Sequence, residues 1–208
     1  DPKFLNPASV HPQRAESVME SLRRANRVTT STERVRDLLR AYTSSQVVVV
    51  QNALDERLWF DSIGDKSSSL PIDDVFRILY YGTYSHQEDL EILHSAIVRL
   101  RRRMGNRIEV IVFGASEDLD GSVFSRGAIQ DNFYPDFVRQ LRREAAQFHL
   151  GVAPLVDSPF NWLKSDLKFL EYSALGLPTV ASRVGEYTQT ISHGISGLLS
   201  DSTTASWV

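Results

Sequence analysis

The chain has 208 residues, 42% of them hydrophobic and 24% charged, with a net charge of −3. That composition supports one full core, or one domain with part of another, and excludes a disordered tail. The small negative charge gives no electrostatic reason to expect nucleic acid, the lack of cysteine excludes disulfides and thiolate zinc sites, and no apolar run approaches the roughly 18 residues of a membrane span.

In chain order, residues 15–25 (AESVMESLRRA) read as a helix and 26–30 (NRVTT) as a short strand. Ser31 or Thr32 suits the cap of a second helix through Tyr42, with Val35, Leu38, Leu39 and Tyr42 on one face. The strand SQVVVVQN follows, its four valines read as buried. Residues 61–74 (DSIGDKSSSLPIDD) are polar and rich in Ser, Gly and Asp, which marks a linker between residues 1–60 and a second unit, 75–208. That unit alternates strand and helix: FRILYYGT, then the periodic helix HQEDLEILHSAIVRLRRRMG, the strand RIEVIVFG, and the helix YPDFVRQLRREAAQF, whose start Pro135 signals. The strand HLGVAPL, the helix SDLKFLEYSALG and the strand LPTVAS complete it. Such alternation predicts an α/β fold with a Rossmann-like, doubly wound parallel sheet, which binds ligands beyond the carboxyl ends of its strands.

The helix starting near Ser165, a good N-cap, and ending at Gly176 carries the most information. At about 100° per residue, Lys164, Lys168 and Glu171 share a stripe. Leu163, Leu167, Leu170 and Ala174 form the adjacent apolar stripe. Free N–H groups at the helix start attract a pyrophosphate, the lysines add positive charge, and a carboxylate two turns on can accept ribose hydroxyls. The same spacing also suits ordinary surface ion pairs.

Lys168 and Glu171 sit in KFLEYSALGLPTVASRVGEYTQTISHGISGLL, which resembles the donor-binding signature of family-4 retaining glycosyltransferases of the GT-B fold. The matching positions are Lys168, Glu171, Ala174, Gly176, Pro178, Ala181, Gly185, Gly194 and Gly197. FYPDFVRQL, LGVAPLVDSPFNWLKSDLKFLEY and Trp207 narrow the resemblance to a subgroup of bacterial surface-polysaccharide biosynthesis. The resemblance implies that residues 1–60 are the end of an acceptor-side domain with the crossover, and 75–208 the nucleotide-sugar-binding domain. It implies that Glu171 binds the donor ribose, that Lys168, Lys164 and Ser165 hold the pyrophosphate, and that Gly82 and Thr83 face the phosphates or the acceptor cleft. It also implies sugar transfer with retention from a nucleotide-sugar to a glycan or lipid-linked acceptor, without cofactor or metal, on the cytoplasmic side, including the inner face of the membrane. Two positions depart from the pattern. Leu163 stands where many members have a sugar-binding glutamate, with Asn161 or Asp166 as candidate substitutes. Thr83 and His86 stand where many have an arginine and a lysine. Leu163 and Thr83 keep open a non-catalytic α/β interaction module, and within enzymes a GT-B relative such as a sugar-nucleotide epimerase is the other reading. With Asp1 and Val208 as its limits, the chain reads as a piece of a longer protein that binds nucleotide weakly and does not turn over alone.

Other motifs read as structural first. Asp118-Leu119-Asp120 suits a solvated loop better than a metal site. His193 precedes a glycine turn, whereas His86 lies beside the expected phosphate turn. RLRRR at 99–103 suits a solvated helix end, with contact to anionic lipid or an acidic partner as the other reading. Phe160 and Trp162 are placed to stack on a base or sugar, or to pack in the core.

Overall fold

The computed structural model describes residues 12–60, 73–82, 87–114, 120–130 and 133–208. Most of the expected linker therefore lies outside the described residues.

The first segment holds α1 (Pro12–Arg24), β1 (Arg27–Thr30), α2 (Glu33–Leu39) and β2 (Gln46–Val49). β1 and β2 pair in parallel from Arg27↔Gln46 to Thr30↔Val49. Thr32 caps α2, its hydroxyl accepting from the Val35 amide at 3.2 Å. Helix α2 stops at Leu39, short of the expected Tyr42, and none of its residues is buried. The valine run is likewise less buried than expected: Val47 is buried, but Val50 is 59% exposed. A two-stranded sheet gives each strand one neighbour, so among the described residues little remains to cover the other valines. A short helix that the sequence did not announce, α3 (Glu56–Trp59), is capped by Asp55 and buries Trp59.

The second segment is built on a six-stranded parallel sheet. Its strands are β3 (Phe76–Tyr81), β4 (Ile108–Phe113), β5 (Ser125–Arg126), β6 (Leu150–Ala153), β7 (Thr179–Ser182) and β8 (Leu198–Ser200), and its helices are α4 (Gln87–Met104), α5 (Tyr134–Glu144), α6 (Leu167–Ala174) and α7 (Tyr187–Thr190). The order is β5-β4-β3-β6-β7-β8. The chain runs outward from β3 through β4 to β5, then returns to β6 on the other side of β3. The order thus reverses between β3 and β6, and a crevice opens beyond the carboxyl ends of strands at such a point.

Strand alternation divides the core between two faces. Ile78 and Tyr80 pack with Leu90, Leu93 and Ile97 of α4. Leu79 and Tyr81 pack with Leu141 of α5 and with Phe169 and Tyr172 of α6. Trp59 ties the first segment to this body, since α3 packs on α5 and Arg142 Nη1 donates to the Leu58 carbonyl at 2.9 Å.

Helix α6 differs from its expected form in two ways. Its N-cap is Asp166, so Lys164 and Ser165 precede the helix rather than share its stripe. Its buried residues are Phe169, Glu171 and Tyr172, not the leucine stripe. The aromatic rings set this rotation: Tyr172 lies so close over β6 that a Cβ on Gly151 would sit 2.5 Å from its ring, and its hydroxyl donates to the Val152 carbonyl at 3.1 Å. The end of α6 is as expected. Gly176 takes φ +73°, with Gly176 N bonded to Ser173 O at 3.0 Å and Leu177 N to Tyr172 O at 2.9 Å, a Schellman motif.

Candidate functional site

Glu171 sits on the inward side of α6 facing the end of β3 and is 4% exposed. Its carboxylate is held by two tyrosines. Tyr81 donates to Oε2, and Tyr134, at the start of α5, donates to Oε1 at 2.7 Å. Burial, then neighbouring Tyr172 and Glu171, pushes the Tyr81 phenol well above its usual range. Burial and the Glu171 bond raise that of Tyr134, while a hydrogen bond from the Trp59 side chain pulls the other way.

One turn earlier, the Lys168 ammonium lies 5.1 Å over the Tyr80 ring. Among the described residues it has neither a hydrogen bond nor a carboxylate partner. Burial, and then the charge of Lys164, lower its pKa to about 8, while Asp89 and Glu171 oppose the shift. The Tyr80 hydroxyl below it is buried and has no hydrogen-bond partner among the described residues. A Cβ on Gly82 would sit 2.7 Å from that hydroxyl, so the turn after β3 needs glycine. Among the described residues, the end of β3 therefore holds an ammonium and a phenol side by side, neither with a hydrogen-bond partner. Unpaired buried polar groups cost about 1–3 kcal/mol each, and sites that keep them usually have a use for them.

Lys164 and Asn161 converge on a residue the sequence reading missed, Asp89, near the start of α4 and 3% exposed. Its Oδ1 accepts from the Val156 amide at 2.7 Å and from Asn161 Nδ2 at 3.0 Å, and its Oδ2 pairs with Lys164 Nζ at 3.3 Å. Asn161 Nδ2 also donates to the Val156 carbonyl at 2.8 Å. Asn161 and Asp89 thus pin the loop after β6 to α4, and part of the Lys164 charge is neutralised. Burial lowers the Lys164 pKa, with Asp89 opposing. Ser165 lies at the edge of the same crevice, its hydroxyl accepting from Asn52 Nδ2 at 2.7 Å. Gly185, at φ +61°, lies under the turn that carries Asn161 and Lys164; a Cβ there would meet the Asn161 carbonyl at 2.9 Å.

Of the residues singled out in the sequence, Glu171, Lys168, Lys164, Asn161, Ser165 and Gly82 all lie around the carboxyl ends of β3 and β6. Thr83 and His86 lie outside the described residues. Trp162 stacks beneath the Arg34 guanidinium at 4.5 Å and donates to Asp157 at 2.5 Å, while Phe160 lies 5.1 Å from Lys164 Nζ. Asp118 is also outside the described residues. Asp120 closes a turn by accepting from Ser122 and pairs with His94 at 2.8 Å, and among the described residues no group of three or more ligating side chains gathers. His193 Nδ1 accepts from the Leu199 amide at 2.9 Å, a structural bond. In the basic run, Arg101 is folded back onto the Ser122 carbonyl. No helix among the described residues is long and apolar enough to cross a membrane. Asp89, Tyr81 and Tyr134 escaped the sequence reading because strand and helix registers had to be known before they could be brought to Glu171 and Lys164.

A six-stranded parallel sheet wound on both faces, with lysines and a carboxylate around the crevice at its switch point, defines a Rossmann-like α/β domain with a polar crevice. Residues 75–207 match the family Glycosyl transferases group 1, and the chain belongs to that family. No curated protein matches the sequence. Among solved structures, HepE of Anabaena in complex with UDP and glucose superposes with a TM-score of 0.66 at 16% identity, over 98% of this chain and 57% of that one. Sucrose-phosphate synthase of Thermosynechococcus elongatus gives 0.64 at 15% identity, over 96% and 51%. The pneumococcal O-GlcNAc transferase GtfA, in complex with UDP and GlcNAc, gives 0.58 at 15% identity, over 87% and 35%. These likenesses establish the fold. The chain spans between 35% and 57% of the length of these neighbours.

Proposed function

We propose that this chain is the donor half of a glycosyltransferase that moves a sugar from a nucleotide-sugar to a glycan or lipid-linked acceptor with retention at the anomeric carbon. In that reaction the bond from the anomeric carbon to the diphosphate breaks and its electron pair leaves on the diphosphate. The acceptor hydroxyl oxygen bonds the carbon and passes its proton to an oxygen of the departing diphosphate. The diphosphate lies against Lys168, with Lys164, the backbone at Gly82, and the backbone N–H groups following Ser165 around it, while Asn161 braces the loop. The ribose meets Glu171. Developing charge on the diphosphate is stabilised by these fixed donors, so neither metal nor cofactor is invoked.

The observation that carries the reading is the Lys168 ammonium at the first turn of α6, which has no hydrogen-bond or carboxylate partner among the described residues and is set over a ring whose own hydroxyl has none among them either. A cation left half-buried without a carboxylate is disfavoured, and a diphosphate at the helix start would pair it. Family membership and the neighbours solved with UDP and a sugar point to the same ligand class. The test is to incubate the full-length protein with UDP-, GDP- and dTDP-sugars and an acceptor glycan, and to follow release of diphosphate and the anomeric configuration of the product by NMR. Release that depends on Lys168, with retained configuration, is expected. Inverted product would refute retention, and release unaffected by Lys168→Ala would refute the site.

A further inference from the structure

We infer that Tyr134 sets the donor affinity of this site: its hydroxyl occupies the place on Glu171 that a ribose hydroxyl takes, and a nucleotide binds by displacing it. The inference rests on the donor-site reading above.

Both oxygens of the Glu171 carboxylate carry a tyrosine O–H, and the residue is 4% exposed. A ribose offers two neighbouring hydroxyls to such a carboxylate. Each oxygen keeps a second lone pair, but at 4% exposure the carboxylate has no open side for a ribose, so a neighbouring side chain must withdraw to admit it. The two tyrosines are not equally free. Tyr81 is 8% exposed at the end of a central strand, edge-on to Tyr172 at 5.1 Å and to Phe137 at 5.9 Å, so packing fixes it. Tyr134 is 47% exposed at the first turn of α5, beside Phe133, which is 62% exposed and supplies no side-chain cap to the helix. Its ring belongs to neither buried core cluster, so withdrawing its hydroxyl does not open the core.

The exchange replaces one neutral hydroxyl on a carboxylate with another of the same chemistry. Its net effect is that of a single hydrogen bond, on the order of a threefold to tenfold change in affinity. The test uses Tyr134→Phe in the 208-residue chain. Calorimetry compares it with wild type, using whichever of UDP, GDP and ADP wild type binds best, and the 2′,3′-dideoxy form of the same nucleotide. The expected result is about threefold to tenfold tighter binding of the ribonucleotide by Tyr134→Phe, with no gain for the dideoxy form, which has no hydroxyl to place on Glu171. Weaker or unchanged binding of the ribonucleotide overturns the inference and leaves the donor site standing. An equal gain for both nucleotides overturns it as well, because the hydroxyl would then act as a steric block. Binding of none of the three at millimolar concentration, by two variants that both give folded circular-dichroism spectra, overturns the donor-site reading and this inference together.

Discussion

Replacing Lys168 by methionine removes a charge that its surroundings disfavour while keeping a flexible apolar chain against the Tyr80 ring. The lysine pKa falls from the ordinary 10.5 to about 8, chiefly by burial. At 1.36 kcal/mol per pH unit the penalty on the charged form is about 3 kcal/mol at most. The side chain keeps partial contact with water, so about 1–2 kcal/mol is expected. The sign follows from proton binding. Between pH 8 and 10.5 the unfolded state holds the Lys168 proton more often than the folded state, so wild-type stability rises with pH across that window. Below pH 8 the full penalty applies. Lys168→Met is therefore expected to be more stable than wild type by about 1–2 kcal/mol at pH 7, with the gap closing toward pH 10. Urea unfolding at the two pH values measures it. A variant less stable than wild type at pH 7, or a gap that does not change with pH, would refute the reasoning.

Three further outcomes follow from the packing. Glu171→Ala leaves the hydroxyls of Tyr81 and Tyr134 without their acceptor and should cost about 2–3 kcal/mol in urea unfolding; Glu171→Gln, which keeps an acceptor oxygen, should cost clearly less. Gly151→Ala drives a methyl to 2.5 Å from the buried Tyr172 ring and should lower stability by about 1–3 kcal/mol, seen as a reduced melting temperature. Asp120 should titrate near pH 2 by carboxyl NMR, because Ser122 and then His94 hydrogen-bond its charged form. Its contribution to stability is present above the ordinary value of 3.8 and is lost as pH falls toward 2; Ser122→Ala should move the midpoint up.

The sheet and its long helices were legible because their signals are local. Alternating apolar runs gave β3, β4, β6 and β7; the period of Leu90, Leu93 and Ile97 gave α4; Pro135 and Gly176 marked a start and a stop. What was missed depends on distant partners. β5 is two residues long and exists only through its pairing with β4, as Ser125 opposite Ile111 shows. α3 is one turn whose reason for being is Trp59 buried against α5. The burial of Glu171 rather than the leucine stripe followed from how Tyr172 fits over Gly151, which no helical period encodes. The candidate site was legible as a set of residue types, Lys164, Lys168 and Glu171, but not as a set of partners. Asp89 on Lys164, and Tyr81 and Tyr134 on Glu171, lie between 37 and 90 residues away along the chain and emerge only once strands and helices are registered.

The central claim is that a nucleoside diphosphate binds at Lys168, and calorimetric titration of UDP, GDP and dTDP into wild type and Lys168→Met tests it most directly. The variant keeps its fold by the argument above, so lost binding reports the lost charge. One diphosphate should bind wild type, with the substitution weakening it by at least tenfold, the loss of about 1.5–3 kcal/mol that a charge-assisted contact carries. No binding to folded wild type at millimolar concentration, or equal binding by both proteins, would contradict it.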